Sequence, residues 1–308
     1  MSSATRCAIG VDVGGTKIAA GVVTFPKGEL HERRQIETAS ARGGEAVFAD
    51  VFRLCEELVG ISKGSAQQAV QSIGVGVCEL VDLDGNVVSE NCIAWKDLSV
   101  RKRLSELAPA VLEADVRAAA LAEAMFGAGR PFKQFLYVTI GTGISCCLVL
   151  DGKPFTGAHG ATGTMASSPV SVPCERCGHM SQRALEEIAS GPALVTRLNE
   201  RGVGRADTGQ AVLAAAGRGD PDAMDVVRSA GESLGSSVGI LLSVLDPEAV
   251  VIGGGLGLSE GLFWESFVAS THRHIWSEAH RDLPVLRAAT GADAGLIGAA
   301  AAAWRTYS

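Results

Sequence analysis

The sequence is short of several things, and each shortage excludes a class of protein. It has no long hydrophobic run. The longest uncharged apolar stretch, residues 135–150, is interrupted by Gly141, Thr142 and Gly143 and falls short of the roughly 20 residues that span a bilayer. No membrane partner is expected. It has no recognisable leader either: the opening MSSATRCAIGVDVGGTK carries too short an apolar segment, interrupted at Asp12, for a signal peptide. A cytoplasmic location is the expectation. It has no basic excess, since Lys and Arg total 27 against 34 Asp and Glu, a net charge of −7. Proteins that grip nucleic acid neutralise phosphates with clustered Lys and Arg, so no nucleic-acid partner is expected. Low-complexity tracts, charge blocks and flexible linkers are missing as well.

What is present is a folded chain. With 308 residues, 47% hydrophobic and 20% charged, it is long enough for two domains or one large one. Eight cysteines make an even number, yet without an export signal reduced thiols are expected. Cys146 and Cys147 sit in an apolar run as small core residues. Only Cys174 and Cys177 have ligand-like spacing.

Residues 9–13, Gly14-Gly15-Thr16 and residues 18–23 spell strand, glycine turn, strand, a hairpin. The pattern returns as residues 135–140, Gly141-Thr142-Gly143 and residues 144–150, which points to a distant internal duplication. Between them lie a helical segment at 44–61, a strand at 72–77, a turn at Asp84-Gly85-Asn86 and an alanine-rich helix at 116–126. Further helices are expected at 184–189, 192–199 and 221–245. A buried strand at 249–252 runs into Gly253-Gly254-Gly255, and the tail from Ala294 to Trp304 is helical. Strands alternating with helices indicate an α/β protein.

Three glycine turns carry the chemistry. In Asp12-Val13-Gly14-Gly15-Thr16-Lys17, exposed backbone N–H groups can cradle phosphate, and Asp12 at a strand end can hold Mg²⁺ through water. A plain hairpin turn is the competing reading. The second Gly-Thr turn strengthens the phosphate reading, because two loops facing across a cleft grip a polyphosphate from both sides. The strand ending at Gly253, Gly254 and Gly255 leaves room for a flat nucleoside. No Walker motif occurs.

The order of these motifs resembles the ROK family, bacterial sugar kinases and related repressors with the actin-like ATPase (ribonuclease H-like) fold. The family's DxGGTK is Asp12–Lys17, its Gly-x-Gly is Gly74-Val75-Gly76, and its Asn and Trp are Asn91 and Trp95. The NDANAAAxxE segment matches 114–123, GTGI is 141–144, ASGxAL is 189–194, LDPExVVIGGG is 245–255 and GLIGAA is 295–300. The resemblance implies two domains around an interdomain cleft: residues 1–118 with the C-terminal helix 288–308, and 119–287. It implies ATP with Mg²⁺, bound through Asp12, Gly14, Gly15, Thr16, Lys17, Gly141, Thr142, Gly143, Gly254 and Gly255. Asp115 becomes the general base that takes a proton from a sugar hydroxyl; a helix N-cap is its bland alternative. Glu113 is expected to be a solvated carboxylate. A homodimer or homotetramer is implied; the first motif begins at residue 12, which leaves no room for the helix-turn-helix domain of the family's repressors, so a DNA-binding repressor is not expected.

Departures from the family cluster where it binds sugar. Two of its Asn are Ala114 and Arg117, its Glu is Thr164, and its His is Ser167. The sugar set expected here is Glu79, Asn91, Ala114, Asp115, Gly143, Thr164, Ser167 and Glu186. The family's zinc motif survives only as Cys174 and Cys177, with His159 and His179 as conceivable further ligands, so a metal-free loop is expected in place of Zn²⁺. Glu79 replaces a glycine, and a carboxylate there can pair with an ammonium group; alternatively it points to solvent. The expected activity is ATP-dependent phosphorylation of a hexose or amino-hexose at the 6-hydroxyl, such as a kanosamine-type sugar. A glucokinase and a non-catalytic sugar sensor are the alternatives.

Overall fold

The computed structural model describes residues 6–64, 69–173, 177–202 and 204–308. In chain order the first elements are β1 (Arg6–Val13), β2 (Lys17–Phe25), β3 (Glu29–Glu37), α1 (Gly44–Gly64), β4 (Val70–Val77), α2 (Val100–Leu104), β5 (Ala110–Ala114) and α3 (Asp115–Phe126). Then follow β6 (Gln134–Ile140), β7 (Ile144–Leu150), β8 (Lys153–Pro154), β9 (Pro169–Pro173), β10 (Met180–Ala184), α4 (Glu186–Ala189), α5 (Gly191–Glu200), α6 (Gly209–Gly217) and α7 (Pro221–Leu245). The chain closes with β11 (Ala249–Gly253), α8 (Leu262–His274), β12 (Val285–Arg287) and α9 (Ala294–Tyr307).

Two five-stranded sheets share one plan. The first runs β3-β2-β1-β4-β5, and the second runs β8-β7-β6-β11-β12. In each, a meander of three strands is followed by two more beside its first strand. In the first sheet β1 and β2 pair antiparallel, from Arg6 opposite Phe25 to Val13 opposite Ile18, while β4 and β5 add in parallel. In the second, β11 is parallel to both β6 and β12. The repeated strand order is the duplication that the two Gly-Thr hairpins announced.

Burial follows the strand positions. β1 and β2 are covered on both faces and consist almost wholly of apolar and β-branched residues, as central strands do. Polar β3, ELHERRQIE, lies at the sheet edge and is largely exposed; its charges protect an open edge. Its polarity also explains why the sequence pattern does not announce it as a strand. The long α7 opens on Asp220, whose side chain accepts the N–H groups of Asp222 and Ala223, each at 3.1 Å, with Pro221 in the first turn. That is a complete start signal.

The chain groups into two compact units. One takes the chain up to Pro131 together with Cys147–Thr162 and Ala289–Ser308; the other takes Phe132–Cys146 and Gly163–Ala288. A boundary at residue 118, as drawn from sequence, would fall inside α3. Backbone contact keeps α3 whole within the first unit: a Cβ on Gly298 of α9 would lie 1.7 Å from the carbonyl oxygen of Ala118. Equally close approaches press α9 onto the sheet, where a Cβ on Gly10 or Gly74 would meet the carbonyls of Leu296 and Ala299 at 2.0 and 1.8 Å. Buried Glu123 fixes the approach to α9, accepting the N–H of Ala289 at 3.1 Å and that of Thr290 at 2.7 Å.

Candidate active site

The first unit gathers Asp12, the Gly14-Gly15-Thr16 turn, Glu79 and Asp115 at the ends of β1, β4 and β5. The turn is braced from within and from outside. Gly14 N–H donates to Lys17 O at 3.0 Å, and the buried Thr38 hydroxyl donates to Gly14 O at 2.6 Å. Thr38 N–H donates to Thr16 O at 3.0 Å. Thr16 and Lys17 themselves are exposed, which leaves them available to an anion. Nothing in the sequence pattern singled out Thr38.

Two carboxylates at these strand ends feel each other's charge. Asp12 lies against Gly295, where a Cβ would come within 2.7 Å of its carboxyl carbon. Burial raises its pKa to about 6, opposed by Lys17 and reinforced by the charge of Asp293. Asp115 is the first residue of α3, and Ala114 rather than Asp115 takes the N-cap position. Burial raises Asp115 to about 7, with the charges of Asp12 and Glu79 adding to it and a 2.6 Å bond from Val116 N–H opposing it. A carboxylate poised near neutrality is suited to receiving a proton. Surplus negative charge at Asp12 and Asp115 also fits a hard cation such as Mg²⁺. Among the described residues no group of three or more His, Cys, Asp or Glu is placed to hold a metal.

Glu79 neither faces solvent nor offers a free oxygen. It is only 4% exposed. Its carboxylate accepts the N–H groups of Asn91 at 2.9 Å, Cys92 at 2.5 Å and Ile93 at 2.8 Å, and the hydroxyl of Ser89. Four donors fill the four lone-pair directions of a carboxylate, which leaves no acceptor for an ammonium group. Glu79 therefore holds the segment that presents Asn91, itself exposed.

Glu113 is not the solvated carboxylate expected from sequence. It accepts Arg117 Nε at 2.5 Å and Ala114 N–H at 2.9 Å. The buried Arg117 also donates to the carbonyls of Gly160 at 2.8 Å and Val81 at 2.7 Å. The residue that takes the place of a family Asn thus binds three segments around Asp115.

The second unit holds the other glycine turns. Gly141 N–H donates to Gly143 O at 2.9 Å, and Gly191 N–H donates to Gly141 O at 2.8 Å. Glu186 accepts Ile144 N–H at 2.9 Å and fills the space beside Gly143, where a Cβ would stand 2.7 Å from its carboxylate. Gly254 has φ +80° and lies so close to β6 that a Cβ would meet Ile140 O at 2.4 Å. Gln210, unforeseen from sequence, donates to Gly255 O at 3.0 Å. Thr164 and Ser167 are exposed on either side of buried Met165. Cys174 lies outside the described residues; Cys177, His159 and His179 are exposed.

Comparison with known proteins agrees with this architecture. The glucokinase of Streptomyces coelicolor is 29% identical over 95% of this chain and 96% of its own length. The N-acetylmannosamine kinase of Escherichia fergusonii is 28% identical over 95% and 96%. A ROK family glucokinase from Streptomyces griseus, solved in complex with glucose and AMPPNP, superposes with a TM-score of 0.82 at 30% identity, covering 97% of this chain and 99% of that one. The actin-like ATPase fold of such kinases is the fold of this chain. A family model described as ROK family matches residues 8–306, and the chain belongs to that family.

Proposed function

We propose that the protein phosphorylates the primary hydroxyl of a hexose or amino-hexose, with ATP as donor and Asp115 as general base. The observation that carries the reading is Asp115 itself: a carboxylate raised to about 7, at the start of a helix, beside Asp12 and a braced Gly-Gly-Thr turn. Glucokinase and N-acetylmannosamine kinase relatives along the whole chain support ATP-dependent sugar phosphorylation.

Each residue takes a limited role. Backbone N–H groups of Gly15 and Thr16 in one turn and of Thr142 and Gly143 in the other, with Lys17, hold phosphate oxygens, since those of Gly14 and Gly141 donate within their own turns. Asp12 would hold Mg²⁺ through water, and the ion would supply neutralisation of phosphate charge there. Asp115 accepts the proton of the attacking hydroxyl, a contribution worth about 10²–10⁴ in rate. Gly254 and Gly255 leave space for the nucleoside. Most of the remaining acceleration is positioning.

The family resemblance gives the sugar-reading role to Asn91 and Ala114 in the first unit and to Thr164, Ser167 and Glu186 in the second. Where Ala, Thr and Ser stand for Asn, Glu and His, a glucose hydroxyl loses partners, and each unpaired buried polar group costs about 1–3 kcal/mol. That favours an acceptor other than glucose, although the saturated Glu79 withdraws the direct argument for an amino group. ADP release from the purified protein with MgATP, across glucose, mannose, N-acetylated hexosamines, glucosamine and kanosamine, decides it. Turnover of glucose at full efficiency makes the protein a glucokinase; no turnover of any sugar overturns the kinase reading.

Self-association is part of the proposal. Ile240 and Val244, one turn apart on α7, are 57% and 74% exposed, and Trp276 is 86% exposed. Trp276 N–H donates to Ser243 Oγ at 3.1 Å, which sets Trp276 beside this end of α7, and exposed apolar groups gathered in this way are of the kind that association covers. Sedimentation of the native chain against Trp276→Glu tests it: a dimer that the variant splits is the expected result.

A further inference from the structure

Two thiols meet in the first unit beside the Gly14-Gly15-Thr16 turn, and the proposed phosphoryl transfer uses neither. Cys78 follows β4 directly, its N–H donating to Val13 O at 3.1 Å. Cys92 lies on the segment that Glu79 holds, with its N–H 2.5 Å from the carboxylate. Their side chains hydrogen-bond to each other. Cys92 is exposed and Cys78 is half-buried. On one side the pair touches the phosphate turn, since Cys92 Sγ lies 3.7 Å from where a Cβ on Gly15 would stand. On the other side Cys78 feels the charges of Asp115 and Glu79. Burial and those charges keep Cys78 a thiol, so the exposed Cys92 is the one that meets solutes first.

We propose that Cys78 and Cys92 form a paired-thiol modification site that closes to a disulfide with a hydroperoxide, and that closure switches off the site around Asp115. The Cys92 thiolate attacks the outer peroxide oxygen and the O–O bond breaks, giving a sulfenic acid and, with a proton, an alcohol or water. Cys78 sulfur then displaces the hydroxyl. The S–O bond breaks, the Sγ–Sγ bond forms, and the hydroxyl leaves as water with the second thiol proton. The two thiols lose two electrons, and the hydroperoxide gains them. A disulfide bond is about 2.05 Å long, shorter than any thiol hydrogen bond. Closure therefore draws Cys92 off Gly15 and moves the segment that presents Asn91.

The switching half rests on the kinase reading, whereas the bond-forming half does not, and one experiment separates them. The full chain is treated with hydrogen peroxide, quenched with iodoacetamide and cut after glutamate, which parts Cys78 from Cys92 at Glu79 and Glu90. The expected product is a Cys78–Cys92 crosslinked peptide pair, two hydrogens lighter than the reduced pair. It should form before any sulfinic acid on Cys92, disappear with dithiothreitol, and be missing from Cys78→Ser and Cys92→Ser. Cys92 over-oxidised or alkylated, with Cys78 still carrying the iodoacetamide label, would overturn the site. In parallel, ADP release should fall at least tenfold in step with the crosslink and return on reduction, while Cys92→Ser keeps its untreated rate. A crosslink with unchanged turnover overturns the switch. If no sugar is turned over before treatment, the kinase reading fails, and the peptide map alone decides the thiol pair.

Discussion

Arg117 donates to the carbonyl oxygen of Gly160 at 2.8 Å and to that of Val81 at 2.7 Å, while its Nε pairs with Glu113 at 2.5 Å. One buried guanidinium thus ties the start of α3, where Asp115 stands, to two loops. Removing it strands two carbonyls and a carboxylate. Breaking such a buried pair costs about 3–5 kcal/mol. Arg117→Leu should melt several degrees lower than the native chain, and Arg117→Lys, which keeps the charge but loses the fork, should fall between. A native melting temperature for Arg117→Leu would dispose of the clamp.

The two raised carboxylates set a pH dependence with opposite consequences for stability and rate. Asp12 titrates near 6 and Asp115 near 7 in the fold, against 3.8 for an ordinary Asp. Because the fold favours their neutral forms, their contribution to stability is full below about pH 4 and is lost as pH rises through 6 and 7. Between pH 4 and 7 the slope of melting temperature against pH should thus be more negative in the native chain than in Asp115→Asn. Rate should do the reverse, since a base must be charged. We expect kcat/KM to climb to a plateau above about pH 7. Asp115→Asn should lose about 10²–10⁴ in kcat while still binding nucleotide. A flat rate profile from pH 5.5 to 8 would contradict the assignment of the base.

Glu79 should matter to every sugar equally. Its carboxylate holds the N–H groups of Asn91, Cys92 and Ile93, and Gln at that position turns a donor toward donors. Glu79→Gln should raise the sugar KM by a factor on the order of 10, in line with about 1–3 kcal/mol for unsatisfied buried groups. The ratio between amino and neutral sugars should stay the same. A selective loss of amino sugars would instead mean that the carboxylate touches substrate.

How far the sequence reached depended on whether a residue's partner was local. Both Gly-Thr hairpins, α7 from its Asp220-Pro221 start, and the alanine-rich α9 follow from near neighbours, and all stand where the pattern puts them. β3 escaped because an exposed edge strand carries no apolar alternation, and β5 because five residues are too few to show one. In the site, the turns and Asp115 are visible as motifs. Thr38 is not, because its bond to Gly14 spans 24 positions. The same limit misplaced Glu79 and Glu113, whose environments depend on donors from Ser89 to Ile93 and on Arg117. A lone carboxylate in a sequence defaults to solvent, and only the fold shows what surrounds it.

Neighbouring glycines in the third turn should respond differently to one added methyl. At Gly254 the backbone is left-handed, and a Cβ would stand 2.4 Å from Ile140 O. Strain of this kind costs about 1–3 kcal/mol before the clash is counted. At Gly255 a Cβ meets nothing within 4 Å. Gly254→Ala should therefore lower the melting temperature and pull β11 away from β6, with loss of activity following. Gly255→Ala should melt like the native chain. If the nucleoside lies over this turn, the methyl will still intrude on it, raising the KM for ATP several-fold and leaving the KM for sugar alone. Thermal melts of the two variants and a two-substrate kinetic matrix separate these effects. Equal ATP and sugar responses in Gly255→Ala would remove the nucleoside from this turn.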